Sequence, residues 1–233
     1  MSSRSPLFPA SFPAEDPASD PNLLPRPIRR SANHLALPYV RTVLLAVGLA
    51  LLIRVSVVEA FKIPSGSMEE TILPGDRVVA NKFLYGTRLP LIGLRTPALR
   101  EPRAGEILIF RSPNEDGATF IKRCVAVGGQ MVTIRDKVLY VDGKRVSLPP
   151  GGKIDPARHA AAFDDYGPVR VPANHLFMLG DNRDNSSDSR VWGFLDRRLV
   201  IGKAMAVYWS LEPNDAKSVW RRIRWDRIGE RIL

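Results

Sequence analysis

Ser65 and Ser67, in the stretch "IPSGSM", are the first residues whose type and spacing suit chemistry. A serine hydroxyl is a weak nucleophile until a neighbouring base takes its proton. Histidine is the usual base, and the chain has three. His34 precedes a long apolar run, His159 sits in the polar "PARHAAAFDDYG", and His175 opens the apolar "HLFML". Those contexts suit surface or structural histidines. Lys122, in "TFIKRCVAV", is the other possible base. In an alternating strand it would face solvent and stay charged. Buried, it would be a different group. An unperturbed lysine, with a pKa of about 10.4, is under about 1% neutral at pH 8, and burial lowers that pKa by several units. Phe120, Ile121 and Val125 are the neighbours that would desolvate it. Arg123 falls on the opposite face of a regular strand, where its cation would add a small further depression.

A third dense segment is "GDNRDNSSDSRVWGF", residues 180–194. It packs Asp181, Asp184 and Asp188 among asparagines, serines and two arginines. Alternating Asp and Asn can ligate calcium, but the spacing is not that of an EF-hand. A network of Asp–Arg pairs and hydroxyls that fixes a neighbouring site is the other reading. No His or Cys spacing suggests a metal site, and no Gly-rich phosphate loop is present.

The elements that must position these residues divide the chain into three parts. Residues 1–34 are rich in Pro, Ser, Ala and Asp and lack periodicity, which predicts a disordered tail. Residues 35–58 contain only two charges, Arg41 and Arg54, around an uncharged run from Thr42 to Ile53. The run alone is too short to span a bilayer, but its flanks can snorkel and extend it. A buried helix of a soluble core and the apolar region of a cleaved leader are the competing readings. Arg26, Arg29, Arg30 and Arg41 lie before the run, so the positive-inside rule places the tail in the cytoplasm and residues 59–233 outside it. Arg54 and Lys62 weaken that asymmetry.

Residues 59–233 read as short β-branched or aromatic segments bounded by Gly, Pro, Asn and Asp. "DRVVANKFLYG", "GEILIFR", "TFIKRCVAV", "MVTIRDKVLYVDGKRVSL", "NHLFMLGD" and "KAMAVYWS" are the expected strands. Asp142-Gly143 marks a hairpin. The fold class expected is mainly β: an antiparallel catalytic domain, with a small second β subdomain inserted at about 128–174, anchored by one N-terminal transmembrane helix. The C-terminal "SVWRRIRWDRIGERIL" is expected to form a final strand with one solvated face. A membrane-surface role and a nucleic-acid strip are the alternatives for its Trp and Arg residues. The single cysteine, Cys124, excludes an intramolecular disulfide and suits a small apolar filler beside Lys122. A net charge of +10 favours an anionic partner.

Taken in order, the apolar run, "FKIPSGSMEETILPGDRVVANKF", "AGEILIF", "TFIKRCVAVGG" and "GDNRDNSSDSRVWGF" resemble the type I signal peptidases, membrane-bound Ser/Lys proteases. The resemblance implies Ser67 as nucleophile and Lys122 as general base. It implies an oxyanion hole from the Ser65 hydroxyl and the Ser67 N–H. Ser186 would orient the lysine amine, with Asp188 and Arg190 in support. Phe61, Ile63, Pro64, Ile109 and Ile121 would form shallow apolar pockets for small side chains, giving Ala-x-Ala-like cleavage sites. No cofactor is implied. The implied partners are signal peptides of exported preproteins and membrane lipid, not nucleic acid, at a bacterial inner membrane. Glu70 and Gln130 depart from the family's proline and aspartate, and "PGGKIDPARHAAAFDDYGPV" has no family counterpart. A mitochondrial inner-membrane peptidase of the same family shares these motifs. A Ser/Lys self-cleaving repressor-like protein shares the β fold and dyad but would need a DNA-binding N-terminal domain, which the Pro-rich tail and membrane run do not provide; an inactive membrane-anchored binding paralogue should have lost Ser67 or Lys122, and both are present.

Overall fold

The computed structural model describes residues 38–48, 50, 58–86, 97–114, 117–157, 161–213 and 219–232. Two compact units are distinguished, Met1–Ala46 and Val47–Leu233. The expected tail lies outside the described residues, and residues 38–48 and 50 are helical. Tyr39, Val40, Val43, Leu44 and Leu45 are exposed. Much of the expected membrane segment also lies outside the described residues. Among the described ones, no helix is long and apolar enough to cross a membrane. Val58, counted above as the end of that segment, instead begins a strand.

The second unit is antiparallel β with very short helices. Its strands are β1 (Val58–Lys62), β2 (Asp76–Asn81), β3 (Ile107–Arg111), β4 (Thr119–Val127), β5 (Met131–Arg135) and β6 (Val138–Val141). They continue with β7 (Lys144–Arg145), β8 (Tyr166–Arg170), β9 (His175–Leu179), β10 (Leu195–Asp196) and β11 (Val200–Ser210). Seven form one sheet, in the order β1-β2-β11-β3-β4-β9-β10. The other four form a second sheet, β7-β6-β5-β8. The helical turns α1 (Ala161–Asp164) and α2 (Ser189–Trp192) flank the second sheet and the loop after β9.

The hydrophobic pattern explains this division. On β2, Val78 and Ala80 alternate inward and meet Ile63, Met68, Ile72, Ile109, Ile121 and Val207 in one core. Strand β4 is apolar on both faces and is covered on both: residues 121–126 are all buried. Val125, Ala126, Phe177 and Leu179 from β4 and β9 share a second core with Val132, Ile134, Leu139 and Val141 of the small sheet. The small sheet therefore packs on the large one through common apolar contacts. Asp142 and Gly143 both have positive φ, 51° and 76°, as the hairpin between β6 and β7 requires.

Two expectations need correcting, and one stretch left open gains an element. "DRVVANKFLYG" is a strand only to Asn81, after which Phe83–Tyr85 is a 3₁₀ turn. The stretch "PGGKIDPARHAAAFDDYGPV" contributes the start of β8 at Tyr166. The C-terminal segment is not a strand: it forms 3₁₀ turns at Val219–Arg222 and Trp225–Arg227. Its alternating arginines are not all solvated, because Asp76 claims two of them. The Asp76 carboxylate is fully buried and accepts from Ser210 Oγ (2.6 Å), Arg227 Nη2 (2.8 Å) and Leu73 N (2.9 Å), with Arg224 Nη1 at 3.5 Å. One carboxylate thus ties the turn before β2 to β11 and to the chain end. Trp220 and Trp225 stay exposed.

Removing one member of a buried ion pair leaves the other uncompensated, at a typical cost of about 3–5 kcal/mol. Asp76→Ala is expected to lower unfolding stability by about that amount, seen as a reduced denaturant midpoint with an unchanged slope.

Candidate active site

Ser67 lies in the turn between β1 and β2, and two short backbone bonds set its position. Glu69 N donates to Gly66 O (3.0 Å), and Ile72 N to Met68 O (2.7 Å). The loop after β9 then clamps this turn from outside. Asn182 N donates to Ser67 O (3.1 Å), and Asn182 Nδ2 to Gly66 O (3.0 Å). Both carbonyls flanking the Ser67 amide plane and side chain are thereby held by one residue.

Lys122 sits on β4 opposite Leu108 of β3. Its Nζ lies 2.5 Å from Ser67 Oγ, and both side chains are buried, with 5% and 6% of the residues exposed. Burial is the main cause that lowers the Lys122 pKa, to about 8. Two carboxylates oppose the effect from nearby, Asp188 and Asp181, and the Arg190 cation reinforces it. The reinforcing cation is therefore Arg190, not the adjacent Arg123. Arg123 is occupied elsewhere: it forms a two-pronged pair with Asp181 (2.8 Å for both contacts) and donates to Gly105 O. Asp181 also accepts from Thr71 Oγ1 at 2.8 Å, which joins β4 to the segment after Ser67. Asp188 is likewise taken: Arg190 Nε and Nη2 donate to it at 2.8 Å each, and Gly180 N at 3.0 Å. These contacts turn the acidic loop into paired charges. Among the described residues, no group of three His, Cys, Asp or Glu side chains could hold a metal.

A cavity of about 340 Å³ opens over the pair. Every residue expected at the substrate pockets lines it: Phe61, Ile63, Pro64, Ile109 and Ile121, together with Ser65, Ser67 and Lys122. Ser65 Oγ is 3.4 Å from Ser67 Oγ, a long contact between an exposed serine and a buried one. Ser186 Oγ is buried and makes no hydrogen bond, so no bond to Lys122 is present. It lies instead beside Gly180 and the Ser67 carbonyl: a methyl group on Gly180 would fall 2.2 Å from Ser186 Oγ and 2.6 Å from Ser67 O. Sequence reasoning overlooked Gly180 and Asn182, which hold the turn, and Asn185 and Ser187, which also line the cavity. All four lie in the acidic motif, but nothing in their types marked them out from its other polar residues. His175 is remote in role: its Nδ1 pairs with Ala173 O, and His34 and His159 lie outside the described residues.

Residues 36–209 match the family described as "Signal peptidase, peptidase S26". The chain belongs to this family. It is accordingly a serine peptidase, a hydrolase of peptide bonds. The signal peptidase I of Pseudomonas aeruginosa is 37% identical over 194 residues, covering 70% of this chain and 68% of the relative. A probable signal peptidase I-2 of Synechocystis is 36% identical over 179 residues, covering 72% and 71%. A crystal structure of a signal peptidase I from Enterococcus faecalis aligns at 30% identity and a TM-score of 0.39, over 46% of this chain and 98% of that one.

The buried lysine also makes a stability statement about this peptidase. The folded pKa of about 8 lies below the ordinary value of 10.5. Between those values the unfolded chain holds more protons, so stability rises with pH across that window; below 8 the penalty is complete, at about 3 kcal/mol. Lys122→Met is expected to be more stable than wild type at pH 6 by about that amount. The difference should shrink from pH 8 upward and be gone above about pH 10.5, as read by denaturant titrations at each pH.

Proposed function

We propose that this chain is a membrane-bound endopeptidase that removes N-terminal signal peptides from exported proteins, using Ser67 and Lys122 as its catalytic pair. The 2.5 Å approach of Lys122 Nζ to Ser67 Oγ inside a buried pocket is the observation that carries the reading. A neutral amine at that distance accepts the serine proton as Oγ attacks the carbonyl carbon. The ammonium so formed then gives that proton to the leaving amine, and the carbon–nitrogen bond breaks. The mature protein departs as the amine product. Water, deprotonated by the same lysine, attacks the ester and releases the signal peptide. Ser65 Oγ and the Ser67 N–H are the donors for the oxyanion, a role typically worth about 3 kcal/mol per donor. Asp188 and Arg190 hold the loop behind the lysine, and Ser186 supplies an uncommitted buried hydroxyl beside the nucleophile.

The groove supports the preference for small residues. Phe61, Ile63, Pro64, Ile109 and Ile121 make an apolar wall to the cavity, in keeping with the small apolar side chains of Ala-x-Ala-like sites. Strand β1 stands at the edge of its sheet, so an extended peptide can run beside its end. Residues 35–57 would be the single membrane span, residues 1–34 the cytoplasmic tail and 58–233 the catalytic domain outside the cytoplasm. That arrangement rests on the apolar run and its arginines. The bacterial source of the relatives favours a bacterial inner membrane over a mitochondrial one. Ser67 lies only 13 positions after Arg54, which would keep the nucleophile close to the lipid surface where a cleavage site emerges. The retained Ser67 and Lys122 count against an inactive binding paralogue, and the apolar run counts against a repressor-like protein.

Detergent-purified protein incubated with a precursor carrying an Ala-x-Ala site is the deciding assay. Ser67→Ala and Lys122→Ala should each lower cleavage by at least about 10³-fold, and Lys122→His should also fail because a shorter ring does not reach the same point. Retained cleavage in both alanine variants would sink the mechanism. The rate at low substrate should fall about tenfold per pH unit below pH 8 and be level above it. A wild-type profile already level at pH 6 would rule out a lysine base with this pKa.

A further inference from the structure

Residues 153–155 and 163–164 converge with the small sheet on the far side of the acidic loop. Lys137 is the meeting point. It occupies the tip of the β5–β6 hairpin, where Asp136 and Lys137 both have positive φ (47° and 64°). That turn projects Lys137 away from its own sheet. Its Nζ donates to Asp184 Oδ1 (3.0 Å) and to Asp155 O (2.7 Å), with Asp164 Oδ1 at 3.5 Å, and only 12% of its side chain is exposed. Asp184 is closed on its other oxygen by Asp155 N at 2.7 Å. The same segment pairs along the loop's backbone: Lys153 N donates to Asp181 O (2.8 Å), and Arg183 N to Lys153 O (2.9 Å). Phe163 lies against the Arg190 guanidinium at 4.6 Å. Asp184 belongs to the turn Arg183–Asn185, and Asn185 and Ser187, on either side of Ser186, line the cavity over Ser67.

We infer that Lys137 is a positioning residue for substrate binding. It acts through Asp184, Asp155 and Asp164 to hold the 183–187 turn against the cavity. It touches neither Ser67 nor Lys122, whose approach is set from the other side by Asn182 and the Arg123–Asp181 pair. Loss of Lys137 should therefore loosen the Asn185 and Ser187 wall while leaving the nucleophile and base in place. The consequence is a selective effect on binding, not on the base. This inference rests on the groove reading above, so the test has one arm that needs no cleavage.

The full-length protein in detergent is compared as wild type, Lys137→Met and Lys137→Arg. In the first arm, amide hydrogen exchange should quicken in residues 183–187 and 153–155 of Lys137→Met, stay unchanged in β4, and recover in Lys137→Arg, which keeps the cation. Unchanged exchange at 183–187, or quickening spread equally through β4, would overturn the inference. In the second arm, on a precursor peptide, Lys137→Met should raise KM at least about fivefold with kcat within about twofold and the pH midpoint unmoved. An unaltered KM, or kcat and KM changing only in step with the folded fraction, would equally overturn it. A wild type that does not cleave the peptide would defeat the signal-peptide reading, while the exchange arm would still decide the role of Lys137.

Discussion

The site depends on keeping a lysine buried without giving it a carboxylate. Lys122 forms no ion pair among the described residues, although Asp181 and Asp188 both act on it electrostatically. Either could raise its pKa and lock it as an ammonium. Each is instead neutralised by its own arginine in a two-pronged pair, Arg123 on Asp181 and Arg190 on Asp188. Burial then prevails, because the opposing charges are already compensated. Arg190 offsets part of the influence of Asp188 on the amine. A planar guanidinium that matches both carboxylate oxygens suits this task better than a lysine would.

Those pairs also organise the backbone. Asp181 connects β4 to Thr71, and Asn182, one residue later, holds the carbonyls of Gly66 and Ser67. The loop that compensates the charges is thus the loop that positions Ser67. Gly180 makes this compactness possible, since a side chain there would collide with Ser186 and with the Ser67 carbonyl. Such a loop is not stable on its own. It is held by strand β4 on one side and by the small sheet and the 150–165 segment on the other.

Much of this arrangement was legible in residue order. "TFIKRCVAV" reads as a strand and is one from Thr119 to Val127. The Asp142-Gly143 turn follows directly from the need for positive φ at two successive residues. The Asp and Arg content of residues 180–190 pointed to a network, but not to its pairing. Asp181 pairs with Arg123, 58 residues away, and local spacing carries no trace of that. The C-terminal arginines misled for the same reason: their alternation looks like a solvated strand until Asp76 is seen to bury Arg227. Lys137 was invisible as well, since a lysine in a hairpin turn is ordinarily a surface residue and only the tertiary fold brings Asp184 to it.

One set of apolar residues serves two ends. Ile63 and Ile121 line the cavity and also belong to the buried core around Met68, close to the lysine. The wall that lines the cavity is therefore the wall that excludes water from Lys122. Making that wall more polar would not merely change the cavity surface. It would stabilise the ammonium form of Lys122. This coupling constrains the groove more tightly than substrate fit alone. An apolar surface satisfies both demands, and any enlargement that admitted water would satisfy neither.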